Sequence, residues 1–556
     1  MSAMKPRIGI FGWGVVAPRS PDIQSFETNL ERPTSWLEPF DGFGPSNFLV
    51  GRPEFDFARY KPWIDARFEP RKFSQLEEKM GNTVKYAIGA FVQALEQNPG
   101  MEGILKELGT QAHVYVGTGL GDFPLHYECA LRYYRAQKRW NRFWCQDRFH
   151  RELAAYALAS PEEKERLRLD ARAPADPAEL EPGAEEPEEA WEAWYAFWVK
   201  RSDGLRAYLD ELLEFEKESV GEDIETGKGH LIRRKTAARK KLNAKYGCPT
   251  EPWNAVEPNL LWNIPNIPAA QISMLARITG PAIAPVAACS GFGTALKLAM
   301  NAIQLGQAKV AVIGNTDPEP HPLSVGAFFG ARVLSHDAQV SKPFTGLRGT
   351  HIAGGACIWI VGDAEYLMAR GMKPLGLEIL SVVLTSDADH VITPSEEGPR
   401  TAMRDALREA GVAADEVATW DMHATATPGD WMELRNALSV LTGQTQFTAR
   451  KGTFGHGMSV CGGWELTAQH LGFAKGKLLP VNLKQDELHG QIRPYHCCLV
   501  QEDGAPLEGD IAGKINMGVG GINAAVICRR WSGPGASPHG SGENSSPNPQ
   551  HQGVKT

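Results

Sequence analysis

The chain has 556 residues, 42% of them hydrophobic and 22% charged, which allows a large core, excludes a single small domain and excludes general disorder. A net charge of −8 argues against a general nucleic-acid-binding surface, and no run of about 18 apolar residues offers a membrane span. Nine cysteines, odd in number and without paired metal spacing, suit a reducing cytoplasm better than a disulfide framework. The opening MSAMKPRIGIFGWGVV does not read as a signal peptide, because its apolar stretch is short and β-branched and no cleavage-type site follows.

IGIFGWGVVA reads as a buried strand followed by a turn. Over residues 75–96, Leu76, Met80, Val84, Ile88, Phe91 and Leu95 recur at helical spacing and predict one amphipathic helix. HVYVGTGLGD at 113–122 predicts a strand entering a glycine turn. From 127 to 255 the chain becomes charged, aromatic and helical in pattern, and holds six of the fifteen tryptophans: Trp140, Trp144, Trp191, Trp194, Trp198 and Trp253. This segment reads as an inserted helical subdomain. It carries a Pro/Ala/Glu loop at 171–189 and a basic run at 233–245.

After 255 the α/β texture returns. Pro281 to Ala288 is uncharged and could be a buried strand, and Thr294 to Met300 has helical composition. Strands are predicted at 309–317, 356–363 and 374–387, with a helix over 401–412 ended by Gly411. YHCCLVQED looks like a strand, and 514–530 reads as strand, glycine turn, strand. The tail at 532–556 is low-complexity and predicted disordered. The organisation expected is an α/β fold of layered sheets in two similar halves, 1–126 with 256–370 and 371–531, interrupted by the insertion at 127–255.

Cys289 stands at a predicted strand-to-helix turn. Unpaired N–H groups at a helix N-terminus favour thiolate, which makes it a candidate nucleophile; an inert core cysteine is the alternative. Two glycine-flanked segments hold histidines. His423 follows a predicted strand in WDMHATATPGDWMEL, where Asp430 and Glu433 would begin a helix at its positive end. His456 lies in ARKGTFGHGMSVCGGWEL, with Lys451 before it and Glu465 beyond. Either histidine alone reads more readily as a structural residue or a surface turn than as a catalyst. Cys461, Cys357, Cys497 and Cys498 read as packing, and His321, His351, His489 and His496 show no partner spacing.

Taken together, AACSGFGTAL, HATATPGD, KGTFGH and GVGGINAAV resemble, in order and context, the β-ketoacyl-acyl-carrier-protein synthases, condensing enzymes with the thiolase fold. IGIFGWGVVAP, VGTGLGD and the 309–335 segment extend the resemblance to about three quarters of the chain, outside the insertion and tail. It implies an acyltransferase that holds an acyl group on Cys289 and condenses it with malonyl-acyl-carrier protein, releasing CO2. It also implies that His423 and His456 stabilise the enolate, that the backbone N–H groups of Cys289 and Val519 form the oxyanion hole, and that Lys451 paired with Glu465 ties down the site. No bound cofactor or metal is implied; acyl groups arrive on the phosphopantetheine of acyl carrier protein or on coenzyme A. A homodimer is implied, with a heterodimer possible.

The sequence departs from that pattern at Ala424, in a HATATPGD loop one residue short, at Val519 in place of a gating phenylalanine, and at Thr345 and Gly355 in place of acidic residues. Two other functions stay open: a non-catalytic or chain-length-determining subunit of a heterodimer, and a coenzyme A thiolase. The thiolase is disfavoured because NMGVGGINA lacks a second cysteine. For the insertion, three roles compete: a dimer interface built on the Trp191, Trp194, Trp198 stripe, a pocket cover, or carrier docking through Arg233, Arg234, Lys235, Arg239, Lys240 and Lys241.

Overall fold

A computed structural model of the chain describes residues 5–44, 47–180, 187–220 and 224–531. The tail at 532–556 and part of the Pro/Ala/Glu loop lie outside the described residues. The chain divides into two compact units, Met1–Gly121 with Pro265–Thr556, and Asp122–Ile264. The second unit opens on the Phe123–Trp144 helix, which Asp122 caps by accepting the Leu125 N–H.

The first unit is built on ten strands: β1 (Ile8–Val16), β2 (Ala112–Gly117), β3 (Ala282–Ile283), β4 (Val310–Asp317), β5 (Gly355–Asp363), β6 (Leu375–Ser386), β7 (Val417–Asp421), β8 (Gln446–Thr448), β9 (Ile511–Gly518) and β10 (Ile522–Arg529). They form one sheet in the order β8-β7-β9-β10-β6-β1-β5-β4-β2-β3. Cut between β6 and β1, the sheet gives two halves built by one rule. In each, the first strand pairs antiparallel with the fifth and the fifth antiparallel with the fourth. The fourth then pairs parallel with the second, and the second parallel with the third. The two similar halves expected from the sequence are therefore visible as topology.

The repeat extends past the strands. A 3₁₀ turn leads directly into a long helix at Ala288–Ser290 with Gly291–Gln304 in one half, and at Met458–Val460 with Cys461–Lys475 in the other. Each turn opens on a non-glycine residue with positive φ, Ala288 at 45° and Met458 at 51°. Such a conformation costs about 1–2 kcal/mol and persists only where the surroundings fix it. The two helices pack against each other.

Helices cover both sheet faces, so the strands are apolar throughout rather than alternating. Ile8, Ile10, Trp13 and Val15 of β1 join Phe292 and Trp464 in one core, while Phe11 and Val16 join Ala90 and Phe91 in another. No turn interrupts β1. Its register slips between Ile10 and Gly12, a bulge at Phe11. Gly12 and Gly14 serve close packing instead: a Cβ on them would lie 2.2 Å from Ala94 O and 1.9 Å from Ala90 O of the Asn82–Glu96 helix.

Three other elements differ from expectation. The 75–96 helix is two, Arg71–Lys79 and Asn82–Glu96, broken where Met80 turns extended. The second is buried on nearly all sides, since it lies within the layers rather than over them. Of Pro281–Ala288, only Ala282–Ile283 is strand, and it is an exposed sheet edge. YHCC is a 3₁₀ helix, Arg493–Cys498, rather than a strand.

In the second unit, Trp140, Trp144, Trp194 and Trp198 are buried with Tyr156 and Tyr208, and Trp191 is partly buried. The tryptophans are thus this unit's own core, not a stripe kept for a partner. The basic run lies on the Ile224–Tyr246 helix, where Arg234 pairs with Glu218 and both Lys235 and Arg239 pair with Glu216. Half of the basic side chains named for docking are thereby balanced internally.

Gly14→Ala should lower the melting temperature sharply or abolish soluble folding, because its Cβ meets backbone that cannot yield. Gly326→Ala, inside the Pro322–Gly330 helix with nothing within 4 Å of the new Cβ, should gain up to about 1 kcal/mol. Thermal melts of the two variants check this pair of expectations.

Candidate active site

Cys289 lies on the 3₁₀ turn at the N-terminus of the Gly291–Gln304 helix, largely buried. Its neighbour Ser290 locks that turn to the β9–β10 hairpin by donating to the carbonyls of Asn516 and Ile522, at 3.1 and 2.7 Å. The backbone N–H groups of Val519 and of Cys289 itself interact favourably with the sulfur. His423 follows the end of β7, and His456 precedes the Met458–Val460 turn. Cys289 Sγ and one ring nitrogen of each histidine lie within 4.8 Å of one another, and the two rings meet edge to face with centroids 5.4 Å apart. The structure therefore brings the three candidates together.

Hydrogen bonding fixes both tautomers. His456 Nδ1 accepts the Met458 N–H at 3.0 Å, which leaves its proton on Nε2. His423 Nδ1 lies 3.4 Å from both Lys451 Nζ and Asn516 Nδ2. Both neighbours are donors, so Nδ1 is the acceptor and Nε2 again carries the proton. Lys451 is held by Glu465 Oε1 at 2.6 Å and by the His423 carbonyl.

Burial, and then the Lys451 charge, hold both imidazoles neutral: His423 well below the usual histidine range and His456 down to about 3. Burial alone would lower Lys451, but Glu465 more than reverses this and keeps it protonated. Burial pushes the Cys289 thiol up to about 11, while Lys451 and the Val519 N–H pull the other way. The resting site is therefore a thiol beside two neutral Nε2–H donors, with a fixed ammonium behind one of them.

The sequence did not single out several residues that complete the site. Lys514 of β9, wholly buried, bridges Asp421 and Glu465. Asn516 Nδ2 reaches Glu465 Oε2 at 3.3 Å as well as His423. Asp317, ending β4, accepts from Thr118 Oγ1 and from the Gly119 and Leu120 N–H groups on one oxygen, and from Ser459 N–H and Oγ on the other. It thereby ties VGTGLGD to the turn beyond His456. The signal for these was a lone Asp or Lys inside an apolar strand, since buried charges need partners. Cys461, read as packing, lies in the site wall with its Sγ 3.8 Å from the Cys289 carbonyl.

Asp430 and Glu433 do more than start a helix. Glu433 accepts the His423 and Ala424 N–H groups at 2.6 and 2.7 Å, and Asp430 accepts those of Thr425, Ala426 and Phe344. Burial pushes them up to about 7 and about 6 respectively, with the amides opposing. Asp430 thus anchors the 341–351 loop from outside, where the family pattern has carboxylates within the loop. Thr345 only donates to the Lys342 carbonyl. At Gly355 a Cβ would lie 2.1 Å from Val16 O, so no side chain fits there. His351, which seemed partnerless, is buried and grips the same loop: Nε2 accepts the Ser341 N–H at 2.8 Å, and Nδ1 donates to Leu49 O at 3.1 Å.

These segments match known proteins. The beta-ketoacyl synthase N-terminal domain matches residues 230–362 and the C-terminal domain matches residues 377–484. The chain is 30% identical to 3-oxoacyl-[acyl-carrier-protein] synthase 2 of Rhizobium meliloti over 281 residues, which is 48% of this chain and 65% of that protein. It is 26% identical to the enzyme of the same name from Staphylococcus aureus over 280 residues, covering 48% and 66%. The chain thus spans just under two thirds of these relatives' lengths. Among solved structures, a beta-ketoacyl synthase from Burkholderia phymatum superposes with a TM-score of 0.63 at 18% identity, covering 95% of this chain and all of that one. The ishigamide ketosynthase/chain length factor gives 0.62 at 18% identity over 95% and 100%. The fold is thiolase-like. Both domain matches fall in order on the segments that supply Cys289 and the two histidines, and over those segments the chain is similar to the beta-ketoacyl synthases.

Proposed function

We propose that this chain catalyses decarboxylative Claisen condensation: an acyl thioester held on Cys289 reacts with a malonyl thioester on acyl carrier protein to give a 3-oxoacyl thioester and CO2. The observation that carries it is the convergence of one thiol and two neutral imidazoles, with the sulfur and one ring nitrogen of each histidine within 4.8 Å of one another. First, the Cys289 sulfur attacks the incoming acyl thioester. A C–S bond forms, the carrier's C–S bond breaks, and the thiol proton leaves with the carrier thiolate. The carbonyl oxygen receives the N–H groups of Cys289 and Val519. Next, malonyl thioester loses CO2, and its C–C electron pair becomes an enolate whose oxygen accepts from His423 and His456 Nε2–H. The enolate carbon then attacks the acyl-Cys289 carbonyl; a C–C bond forms, the C–S bond breaks, and the Cys289 thiolate takes up a proton.

Neutral imidazoles suit this role, because an imidazolium beside the thiol would hand its proton to the enolate carbon and waste the malonyl group. The substrates bring their own activating thiol, so the reaction draws on no bound cofactor. The thiol at Cys289 speaks against a purely non-catalytic subunit. Carrier delivery, as in the solved type II acyl-carrier protein complex with its ketosynthase, fits a site that accepts thioesters. All nine cysteines are unpaired and no helix among the described residues is long and apolar enough to cross a membrane, which supports a cytoplasmic setting. The exposed edge strand β3, with Ile283 and Val286 on the surface, supports a homodimer formed by edge pairing.

Cys289→Ala should carry no acyl group after incubation with acyl thioester, yet still release CO2 from malonyl thioester; His423→Ala or His456→Ala should slow that release by about 10²–10³-fold. Wild-type protein that neither loads acyl groups nor releases CO2 would overturn the proposal. Alkylation of Cys289 by iodoacetamide should rise about tenfold per pH unit and level only near its pKa of about 11, whereas a plateau by pH ~8 contradicts the burial effect. Because His456 is lowered to about 3, CO2 release should show no acid limb from its protonation between about pH 5 and 7. Ile283→Lys with Val286→Lys should shift sedimentation from dimer to monomer.

A further inference from the structure

Lys514 has no part in the condensation scheme, yet it is wholly buried at its centre. Its Nζ lies 3.0 Å from Asp421 Oδ1 and 2.8 Å from Glu465 Oε2. It also donates to the carbonyls of Met422, at 3.2 Å, and Ile515, at 2.8 Å. The contact to Asp421 is an ion pair without hydrogen-bond alignment. Glu465 turns its second oxygen to Lys451 at 2.6 Å, and Lys451 grips the His423 carbonyl. Asp421 and His423 are two residues apart at the end of β7, so the chain Asp421–Lys514–Glu465–Lys451–His423 closes on itself. The two ammonium groups hold consecutive carbonyls, Met422 and His423.

We propose that Lys514 is a positioning residue: it clamps Glu465 from behind, so that Glu465 presents Lys451 to His423 in one fixed geometry. The inference rests on the condensation reading for its consequence, not for its geometry. A carboxylate held by one cation can pivot about that contact. Held on opposite oxygens by two cations, with Asn516 on one of them, it cannot. The clamp also balances charge. Lys451 and Lys514 are offset by Glu465 and Asp421, and Arg450 and Glu433 are the other charged side chains facing this network. His423, His456 and Cys461 border it uncharged. Lys514 is thus a second cation, after Lys451, that disfavours an imidazolium at either histidine.

The test removes both charges at once, in Lys514→Met with Asp421→Asn, so that no unpaired charge is left buried. Lys514→Met alone is the second variant, since burial already pushes the Asp421 carboxyl up and lets it take a proton. One readout needs no substrate: titration of the His423 ring in isotope-labelled protein, assigned by its loss in His423→Gln. The midpoint should rise by about one pH unit when the cation is removed. The other readouts are malonyl-thioester CO2 release, expected to fall about tenfold, and acyl loading of Cys289, expected to stay within about twofold. A folded variant of either kind with an unmoved His423 titration and unchanged CO2 release overturns the inference. If wild-type protein neither loads nor releases CO2, the condensation reading falls, and the His423 titration still decides what Lys514 does.

Discussion

Everything at this site depends on one buried carboxylate. Glu465 has no solvent to stabilise it, and desolvating an ion costs several kcal/mol even after relaxation. Lys451 on one oxygen and Lys514 on the other offset that cost and keep the charge. Removing one member of such a pair typically costs about 3–5 kcal/mol, because the charge left behind stays buried. The arrangement is therefore all or nothing. It binds the Cys461–Lys475 helix to β9 and to the loops carrying His423 and Lys451, and so sets where the imidazoles face the thiol.

The duplicated topology explains why the pieces can meet. The third strand of each half feeds a strained turn and a helix, and those helices pack together. Cys289 occupies the turn in the first half; Ser459 holds the corresponding place in the second and spends its hydroxyl and amide on Asp317. One copy of the repeat thus presents a nucleophile, while the other holds His456 and anchors the first copy's glycine loop. Asp317 makes this possible because both of its oxygens are saturated by donors from two separate loops.

The elements best read from sequence were those whose local pattern and tertiary setting agree. Val310–Asp317 and Ile522–Arg529 are mostly apolar runs ended by a charged residue, and fold as central strands. The misread elements share a cause: glycine and apolar runs carry different meanings in different surroundings. Gly12 and Gly14 lie inside β1, where their lack of a side chain lets a helix approach the strand. Pro281–Ala288 suggested a core strand but lies at an edge. Tryptophans that suggested a partner face make their own small core.

The sequence alone determined the candidate nucleophile, the two histidines, Lys451 and Glu465, the α/β class and the resemblance to condensing enzymes, because these are carried by residue types in short, ordered motifs. Only the tertiary structure decided the protonation of those groups and the partners that fix them. Lys514, Asp421, Asn516 and Asp317 stand out in the sequence only as polar residues inside apolar strands, and their partners are set where strands far apart in sequence meet. The physical reason is that hydrogen-bonding partners and desolvation are properties of a place in space. A motif records which groups are available; packing decides which charges survive beside them.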